Sequence, residues 1–314
     1  MNAPQSPAGP RVPPLLRPGD RVALFSPSSH QGRYPPEYLA DAAAALGAWG
    51  LDVLAQPEPP RHLYLAGTDA QRAEQFRRLY LDPAVKALFC TRGGYGSARL
   101  LPLLDRATFA AAPPKWVVGF SDVTSLFAWL HAAGVCAVHG PCLAAPGAVA
   151  SPRKADNLAA LRGLLFGTER PRYPAAALHL PPGAPPAVEG RLLGGCLSVL
   201  VSTLGTPWAP DTRGAVLFLE DTDEAPYRMD RMLTHLRAAG ALEGVRAVAF
   251  GYLQRCDGDP PGLLHEVLAD RFRDAPFPVV RGLTCGHGDL NLPLLLGAPA
   301  RLELDGDAAL LTQG

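Results

Sequence analysis

A serine at the junction of an apolar run and a helix is the strongest candidate nucleophile in this sequence. Residues 119–124 read Gly-Phe-Ser-Asp-Val-Thr and follow the apolar run 116–118. A tight turn there exposes the hydroxyl of Ser121, and the helix N-terminus makes the backbone N–H of Asp122 a candidate oxyanion donor. Val123 stands where the common G-x-S-x-G elbow has glycine, so that motif is not matched. Locally the pattern also fits an ordinary helix N-cap.

A glycine-rich segment forms a second candidate site. Residues 92–96 read Arg-Gly-Gly-Tyr-Gly and follow the apolar run 85–90. Glycines at Gly93 and Gly94 allow backbone N–H groups to point into a crevice, which suits an anion or an oxyanion. The segment is not a dinucleotide fingerprint, because Arg99 stands where the third glycine is needed, and it lacks the Walker pattern. A plain turn, or the loop of a non-catalytic nucleotide- or sugar-binding module, remains an alternative.

A candidate base and a candidate acid also follow apolar runs. Glu220 ends the run 215–219 and opens a cluster with Asp221, Asp223 and Glu224, while His287 lies between two glycines after the run 279–283. The carboxyl ends of strands are where α/β proteins place functional groups. A serine nucleophile needs a base, and the base needs a group that fixes its tautomer. Ser121, His287 and Glu220 together supply these three roles.

Metal chemistry is an alternative that the spacing supports poorly. A zinc hydrolase would use Cys285 and His287 together with His139 and Cys142, but these spacings do not match a compact zinc site. The acidic cluster around Glu220 does not match a calcium loop. We therefore expect neither a metal nor an organic cofactor.

Composition limits the classes of partner. The 314 residues carry 29 basic and 29 acidic side chains, and this zero net charge argues against nucleic acid or an anionic membrane as the main partner. Six cysteines without a CxxC pair are typical of reduced thiols in a cytoplasmic protein. The uncharged stretches 132–152 and 192–210 contain glycine and proline, so neither is a convincing membrane span.

Alternating strand and helix patterns predict an α/β fold with a mostly parallel sheet in the first half of the chain. We predict strands at 21–26, 51–54, 85–90 and 116–120, and helices at 37–50, 69–81, 98–104 and 121–130. Asp69 is the expected N-cap of the second helix. In the second half we predict strands at 215–219, 245–252, 279–283 and 301–304, and a helix at 227–239.

The same patterns suggest a division into domains. Residues 1–15 are proline-rich and predicted to be a loose leader, and 16–150 form the N-terminal nucleophile domain. Prolines interrupt 151–186, which we predict to be a linker with a short helix near 156–165. Residues 187–314 form a C-terminal domain that carries the acid and the base.

Read together, these motifs resemble the LD-carboxypeptidase family, the muramoyltetrapeptide carboxypeptidases of serine peptidase family S66. The resemblance runs from about residue 18 to residue 304. Its carriers, in chain order, are Gly19-Asp20, Ser26-Pro27-Ser28, the segment 92–96, the segment 119–122, His139-Gly140-Pro141, Gly194-Gly195, the segment 219–221, the segment 226–231 and the segment 285–288. Their joint order and spacing are more specific than any one of them.

The resemblance implies a Ser–His–Glu triad, which matches Ser121, His287 and Glu220, with Glu224 a less favoured acid. It implies an amidotransferase-like, Rossmann-like parallel-sheet domain followed by a smaller barrel-like domain, and cytoplasmic homodimers. The implied substrate is a small murein peptide, from which the enzyme removes a terminal D-alanine. A sister group that cleaves microcin-C-type aminoacyl-nucleotides with the same triad is an alternative.

Further site residues follow from combining the motifs with this resemblance. Backbone N–H groups of Asp122 and of Gly93 or Gly94 are expected to hold the oxyanion. A carboxypeptidase must recognise a free carboxylate, which favours an arginine, and Arg92 is our candidate, with Tyr95 beside it. Cys196 stands where the family often has asparagine, which leaves the details of substrate contacts open.

Overall fold

The computed structural model describes residues 9–54 and 56–313. In the first half, strands and helices alternate as the sequence predicts. The strands are β1 (Arg21–Phe25), β2 (Asp52–Leu54), β3 (Val85–Cys90), β4 (Trp116–Gly119) and β5 (Ala137–His139). The α-helices are α1 (Glu37–Ala48), α2 (Asp69–Leu81), α3 (Arg106–Ala111), α4 (Thr124–Ala132) and α5 (Pro146–Val149), and short 3-10 helices cover Gln31–Arg33, Ser97–Leu103 and Ser121–Val123.

The second half contains more strands than the sequence predicts. Its strands are β6 (Tyr173–His179), β7 (Ala187–Cys196), β8 (Ala215–Thr222), β9 (Ala247–Gln254), β10 (Val279–Arg281), β11 (Leu294–Leu296), β12 (Pro299–Asp305) and β13 (Ala308–Gln313). Its helices are α6 (Lys154–Phe166), α7 (Leu197–Ser202), α8 (Pro226–Ala238) and α9 (Leu263–Phe272).

The first sheet has the strand order β11-β5-β4-β3-β1-β2. Strands β1 to β5 pair in parallel, and β11 joins the edge antiparallel to β5. The parallel strands have their carboxyl ends at one edge of the sheet, so the segment 92–96, Ser121 and His139 lie along that edge. The predicted Rossmann-like parallel sheet is thereby confirmed.

The second sheet is a closed barrel of seven strands in the order β10-β6-β13-β12-β7-β8-β9. Four of its strands, β7 to β10, run parallel, and the remaining pairs are antiparallel. The parallel register pairs Cys196 at the end of β7 with Glu220 on β8. This closed sheet confirms the predicted barrel-like second unit.

The sequence predictions lack the strands β5, β7 and β13 and the helices α3, α5, α7 and α9, and three further differences concern the linker, the C-terminal domain and a helix cap. Strand β6 lies inside the segment predicted as a linker, where its prolines and alanines suggest a loop but pairing with β10 and β13 completes the barrel. Strand β11 lies within the predicted C-terminal domain, yet it extends the N-terminal sheet. The N-cap of α2 is Thr68 and not Asp69, because the Thr68 hydroxyl accepts from the Gln71 N–H at 3.2 Å.

The predicted leader is only partly within the described residues, since 1–8 lie outside them. Its remainder contacts the first unit: the Arg11 N–H donates to the Gly134 carbonyl at 2.8 Å, and the Cys136 N–H donates to the Arg11 carbonyl at 3.0 Å. None of the helices in the described part of the chain combines the length and the apolar composition that spanning a bilayer requires.

The sheet and the barrel share one hydrophobic core. A single cluster of buried residues includes Val117 of β4 and Leu126 of α4 together with Leu192 of β7, Val216 of β8 and Leu294 of β11. Because packed cores resist deformation, this cluster holds the two units in one relative position. Side chains at the end of β8 are thereby held against the loop that follows β4.

A glycine in β7 gives a test of the packing of β7 on β8 inside the barrel. Gly194 has φ of +126°, and a Cβ added there would lie 1.8 Å from the carbonyl oxygen of Phe218 in β8. We expect Gly194→Ala to lower the free energy of unfolding by roughly 3 kcal/mol or more, since backbone strain and overlap act together. Urea denaturation measures the loss.

The control is Gly134→Ala, where φ is +74° but nothing lies within 4 Å of the added Cβ. That variant has the positive-φ penalty alone, about 1–2 kcal/mol. Equal losses in the two variants would contradict close packing of β7 on β8.

Candidate active site

Ser121 is held in an unusual backbone conformation. It follows β4 and the extended Phe120, has φ of +62°, and begins the 3-10 helix that leads into α4. A serine with positive φ is uncommon, and such strain concentrates at functional sites. Gly119 permits the turn, because a Cβ there would lie 2.9 Å from the Cβ of Cys90 on β3.

His287 and Glu220 complete a chain of contacts with this serine. Nε2 of His287 lies 3.1 Å from Oγ of Ser121, and Nδ1 of His287 lies 2.6 Å from Oε2 of Glu220. Gly286 makes the approach possible, because its φ is +110° and a Cβ there would lie 2.5 Å from Oε2 of Glu220. The structure thus brings together three side chains that are far apart in the sequence.

Burial and charge set the protonation of the two partners. Glu220 is fully buried and the His287 side chain is 17% exposed. Burial alone would raise the pKa of Glu220, but the neighbouring imidazoles of His287 and His139 outweigh it and lower that pKa to about 2. Burial would lower the pKa of His287, and the Glu220 carboxylate raises it above its ordinary value instead. The acid therefore stays ionised and stabilises the imidazolium.

The segment 92–96 packs directly over the serine. A Cβ added to Gly93 would lie 3.3 Å from Oγ of Ser121 and 3.4 Å from the backbone nitrogen of Asp122. Gly94 has φ of +108° and packs on Ser29. Backbone atoms of the predicted oxyanion donors therefore border the serine hydroxyl, and their role stays a prediction.

The side chain of Asp122 has a separate task that the sequence does not reveal. The buried carboxylate accepts from the Ser28 hydroxyl at 2.6 Å and from the Ser97 N–H at 2.8 Å. These bonds tie the loop after β1 and the end of the segment 92–96 to the turn that carries Ser121. The carboxylate of Asp122 thus holds these segments together beside Ser121.

Arg92 and Tyr95 differ in accessibility. Arg92 is 5% exposed, donates to the His30 carbonyl at 2.9 Å and lies over the Tyr34 ring, and burial lowers its pKa. Tyr95 is exposed, and its ring centroid lies 5.8 Å from that of Tyr64. Contact of either side chain with a substrate stays a prediction.

The other carboxylates of the acidic cluster have partners elsewhere. Asp221 accepts from the Ser198 N–H at 2.7 Å at the start of α7. Asp223 is paired with Arg255 at 2.6 Å, and Glu224 lies 3.5 Å from Arg228. Glu220 is therefore the member of the cluster that contacts His287.

The zinc alternative finds no support in the geometry. It required Cys285 and His287 to converge with His139 and Cys142. Among residues 9–54 and 56–313, no group of three or more histidine, cysteine or acidic side chains is arranged to hold a metal ion.

Two asparagines that support the His287 loop are absent from the sequence predictions. Oδ1 of Asn291 accepts from the Gly286 N–H at 2.8 Å, and Oδ1 of Asn157 accepts from the Asn291 N–H at 2.8 Å. Asn157 also donates to the Asp289 carbonyl at 2.8 Å. Asn157 lies on α6, in the predicted linker, so neither motif nor spacing connects it with His287.

Sequence relatives align with almost the whole chain. A putative carboxypeptidase of Synechocystis is 41% identical, with 95% of each chain covered. A murein tetrapeptide carboxypeptidase of Pseudomonas aeruginosa is 33% identical, with 90% of this chain and 93% of the relative covered.

Solved structures with the same architecture come from two functional groups. The muramoyltetrapeptide carboxypeptidase of Oxalobacter formigenes superimposes with a TM-score of 0.81 at 29% identity, covering 94% of this chain and 98% of that one. The microcin C7 self-immunity protein MccF gives a TM-score of 0.83 at 25% identity, covering 97% and 99%.

Family models match both halves of the chain. The LD-carboxypeptidase N-terminal domain matches residues 22–140, and the LD-carboxypeptidase C-terminal domain matches residues 189–302. The first match contains Ser121, and the second contains Glu220 and His287. The resemblance drawn from the motifs is confirmed: the chain belongs to the LD-carboxypeptidase family, peptidase family S66.

Proposed function

We propose that this enzyme is a serine carboxypeptidase that releases the terminal D-alanine of a murein tetrapeptide by hydrolysing an L,D-amide bond. The observation that carries the proposal is the chain of contacts from Oγ of Ser121 through His287 to Glu220. Likeness to the murein tetrapeptide carboxypeptidase of Pseudomonas and to the muramoyltetrapeptide carboxypeptidase of Oxalobacter supports the choice of substrate.

The acylation step begins when Nε2 of His287 takes the proton of Ser121. The serine oxygen attacks the scissile carbonyl carbon and forms a tetrahedral intermediate. Backbone N–H groups of Asp122 and of Gly93 or Gly94 stabilise the negative oxygen, and one such donor is typically worth roughly 10²–10³ in rate. Glu220 holds the imidazole in the required tautomer and stabilises its charged form.

Collapse of the intermediate breaks the amide bond. His287 gives its proton to the leaving amine, so D-alanine departs and an acyl ester remains on Ser121. Water then attacks the ester while His287 takes its proton, and His287 returns that proton to the oxygen of Ser121 as the shortened peptide is released. The strained turn keeps the serine oxygen in place, as the nucleophile in the first step and as the leaving oxygen in the second, because its backbone conformation is held by the packing around β4.

Recognition of the free carboxylate is assigned to Arg92 in this proposal. Its guanidinium is anchored through Nη1 to the His30 carbonyl and lies over the Tyr34 ring. A fixed guanidinium beside the glycine loop suits a small anion at the leaving end of the peptide. Exposed Tyr95 is placed at the rim of the same loop.

Hydrolysis of an aminoacyl-nucleotide is a second candidate. It is favoured by the likeness to MccF, which is as close in fold as the likeness to the carboxypeptidase. The same three residues would perform that chemistry. Parallel assays with a murein tetrapeptide and an aminoacyl-nucleotide separate the two, and faster cleavage of the nucleotide would overturn the carboxypeptidase assignment.

Replacement of the nucleophile is the first prediction. Ser121→Ala should reduce D-alanine release by roughly 10³–10⁶-fold with an unchanged unfolding midpoint, because only the attacking oxygen is lost. The control is Ser202→Ala, an exposed serine whose hydroxyl bonds only its own helix at Val199. Comparable D-alanine release by Ser121→Ala and the wild type would exclude Ser121 as the nucleophile.

Replacement of the acid is the second prediction. Glu220→Gln should lower kcat by about 10²–10⁴-fold, because an amide supports His287 less well. The carboxylate raises the pKa of His287, so its removal should also move the acid limb of kcat/KM to lower pH. A pH series of D-alanine release measures both effects.

The matched control for this series is Glu224→Gln, which removes a carboxylate that lies beside Arg228. It should leave the acid limb in place. An acid limb that stays fixed in Glu220→Gln, or that moves equally in Glu224→Gln, would contradict the assigned role of Glu220.

A further inference from the structure

A second buried histidine faces the oxygen of Glu220 that His287 does not use. His139, at the end of β5, is fully buried, and its Nε2 lies 3.7 Å from Oε1 of Glu220. Within the described residues, neither ring nitrogen of His139 has a hydrogen-bond partner, and neither does Oε1 of Glu220. Buried polar atoms without partners are rare in folded proteins, so this pair calls for an explanation.

Two aromatic rings pack against this imidazole. The ring centroid of Phe120 lies 5.9 Å away and that of Phe218 lies 5.0 Å away, both near perpendicular to the imidazole. Apolar walls of this kind keep water out and strengthen any charge interaction inside them. The carboxylate of Glu220 is therefore the group to which His139 can donate a hydrogen bond.

We propose that His139 is a positioning residue for the acid of the active site, donating Nε2–H to Oε1 of Glu220. A small approach of the two atoms brings them to hydrogen-bond distance. Glu220 is then held at both oxygens, by His287 on one side and His139 on the other. This inference rests on the proposed function, since it gives His139 a task only where Glu220 supports a working base.

The arrangement has a consequence for the base. A hydrogen bond to Oε1 draws negative charge away from the oxygen that faces His287. Without it, the carboxylate would stabilise the imidazolium more strongly, and His287 would lose its proton only at higher pH. Loss of His139 and loss of Glu220 should therefore move the acid limb in opposite directions.

Other titratable groups face this pair and are common to all variants. Cys196, Asp221 and Cys285 face Glu220, and Asp221 and Asp223 face His287. Burial raises the pKa of both thiols, so they remain uncharged near neutral pH. Because these groups are unchanged, differences between variants at position 139 report on the imidazole alone.

The test is the rate at which a fluorophosphonate inactivates the enzyme as a function of pH. This probe carries neither peptide nor nucleotide, so its reaction with Ser121 does not depend on which substrate is correct. His139→Phe keeps a ring but removes the donor, and His139→Gln replaces it with an amide donor. We expect the acid limb of the pH profile of inactivation to move up by about half a pH unit or more in His139→Phe. At pH values below that limb, inactivation of this variant should be slower by about threefold or more.

His139→Gln should lie closer to the wild type than His139→Phe, because its amide can donate to Oε1. The control is His131→Gln, which replaces a histidine that contacts Arg191 and not Glu220, and its acid limb should stay in place. A rate that falls equally at all pH values in both His139 variants, with an unmoved limb, would overturn the proposal. Absence of Ser121 labelling in the wild type would overturn the proposed function first, and this inference with it.

Discussion

Burial of one carboxylate constrains the whole site. Glu220 has no exposed surface, and an ionised carboxylate without water is stable only where other groups supply compensating charge and hydrogen bonds. His287 supplies them at 2.6 Å. The loop that carries His287 must therefore approach closely, and Gly286 is the residue that permits it. The same contact that stabilises the buried acid orients the base toward Ser121.

The nucleophile and its partners belong to different structural units, so their alignment depends on the packing between those units. Ser121 follows β4 of the parallel sheet, while Glu220 belongs to the barrel strand β8. The shared hydrophobic core fixes the barrel against the sheet, and Gly195 of β7 packs directly on α4, where an added Cβ would lie 2.5 Å from the hydroxyl oxygen of Thr124. The side chains of Asn157 and Asn291 add hydrogen bonds that hold the His287 loop in place. The alignment of the nucleophile with its base and acid therefore depends on contacts throughout both units.

Strand-end positions explain why much of the site was predictable. Ser121, Glu220 and His287 each follow an apolar run, and within each sheet parallel strands bring such ends to one edge. The strands β6 and β11 were missed because alanine, proline and a run of three leucines do not signal pairing partners. Asn157 and the carboxylate of Asp122 were missed for a related reason: their roles lie in contacts between distant segments. Short-range patterns identify reactive groups better than the residues that support them.

The path of the chain after His287 limits how this protein can be divided. From the barrel strand β10 the chain carries His287, becomes the edge strand β11 of the other sheet beside β5, and returns to the barrel as β12. Cleavage of the chain before β6 would separate β5 from β11. The first fragment would then have β5 as an exposed edge strand, and the second fragment would contain β11 without its pairing partner. Exchange of barrels between related enzymes, or reassembly from separately produced halves, would therefore require the two pieces to share that edge strand.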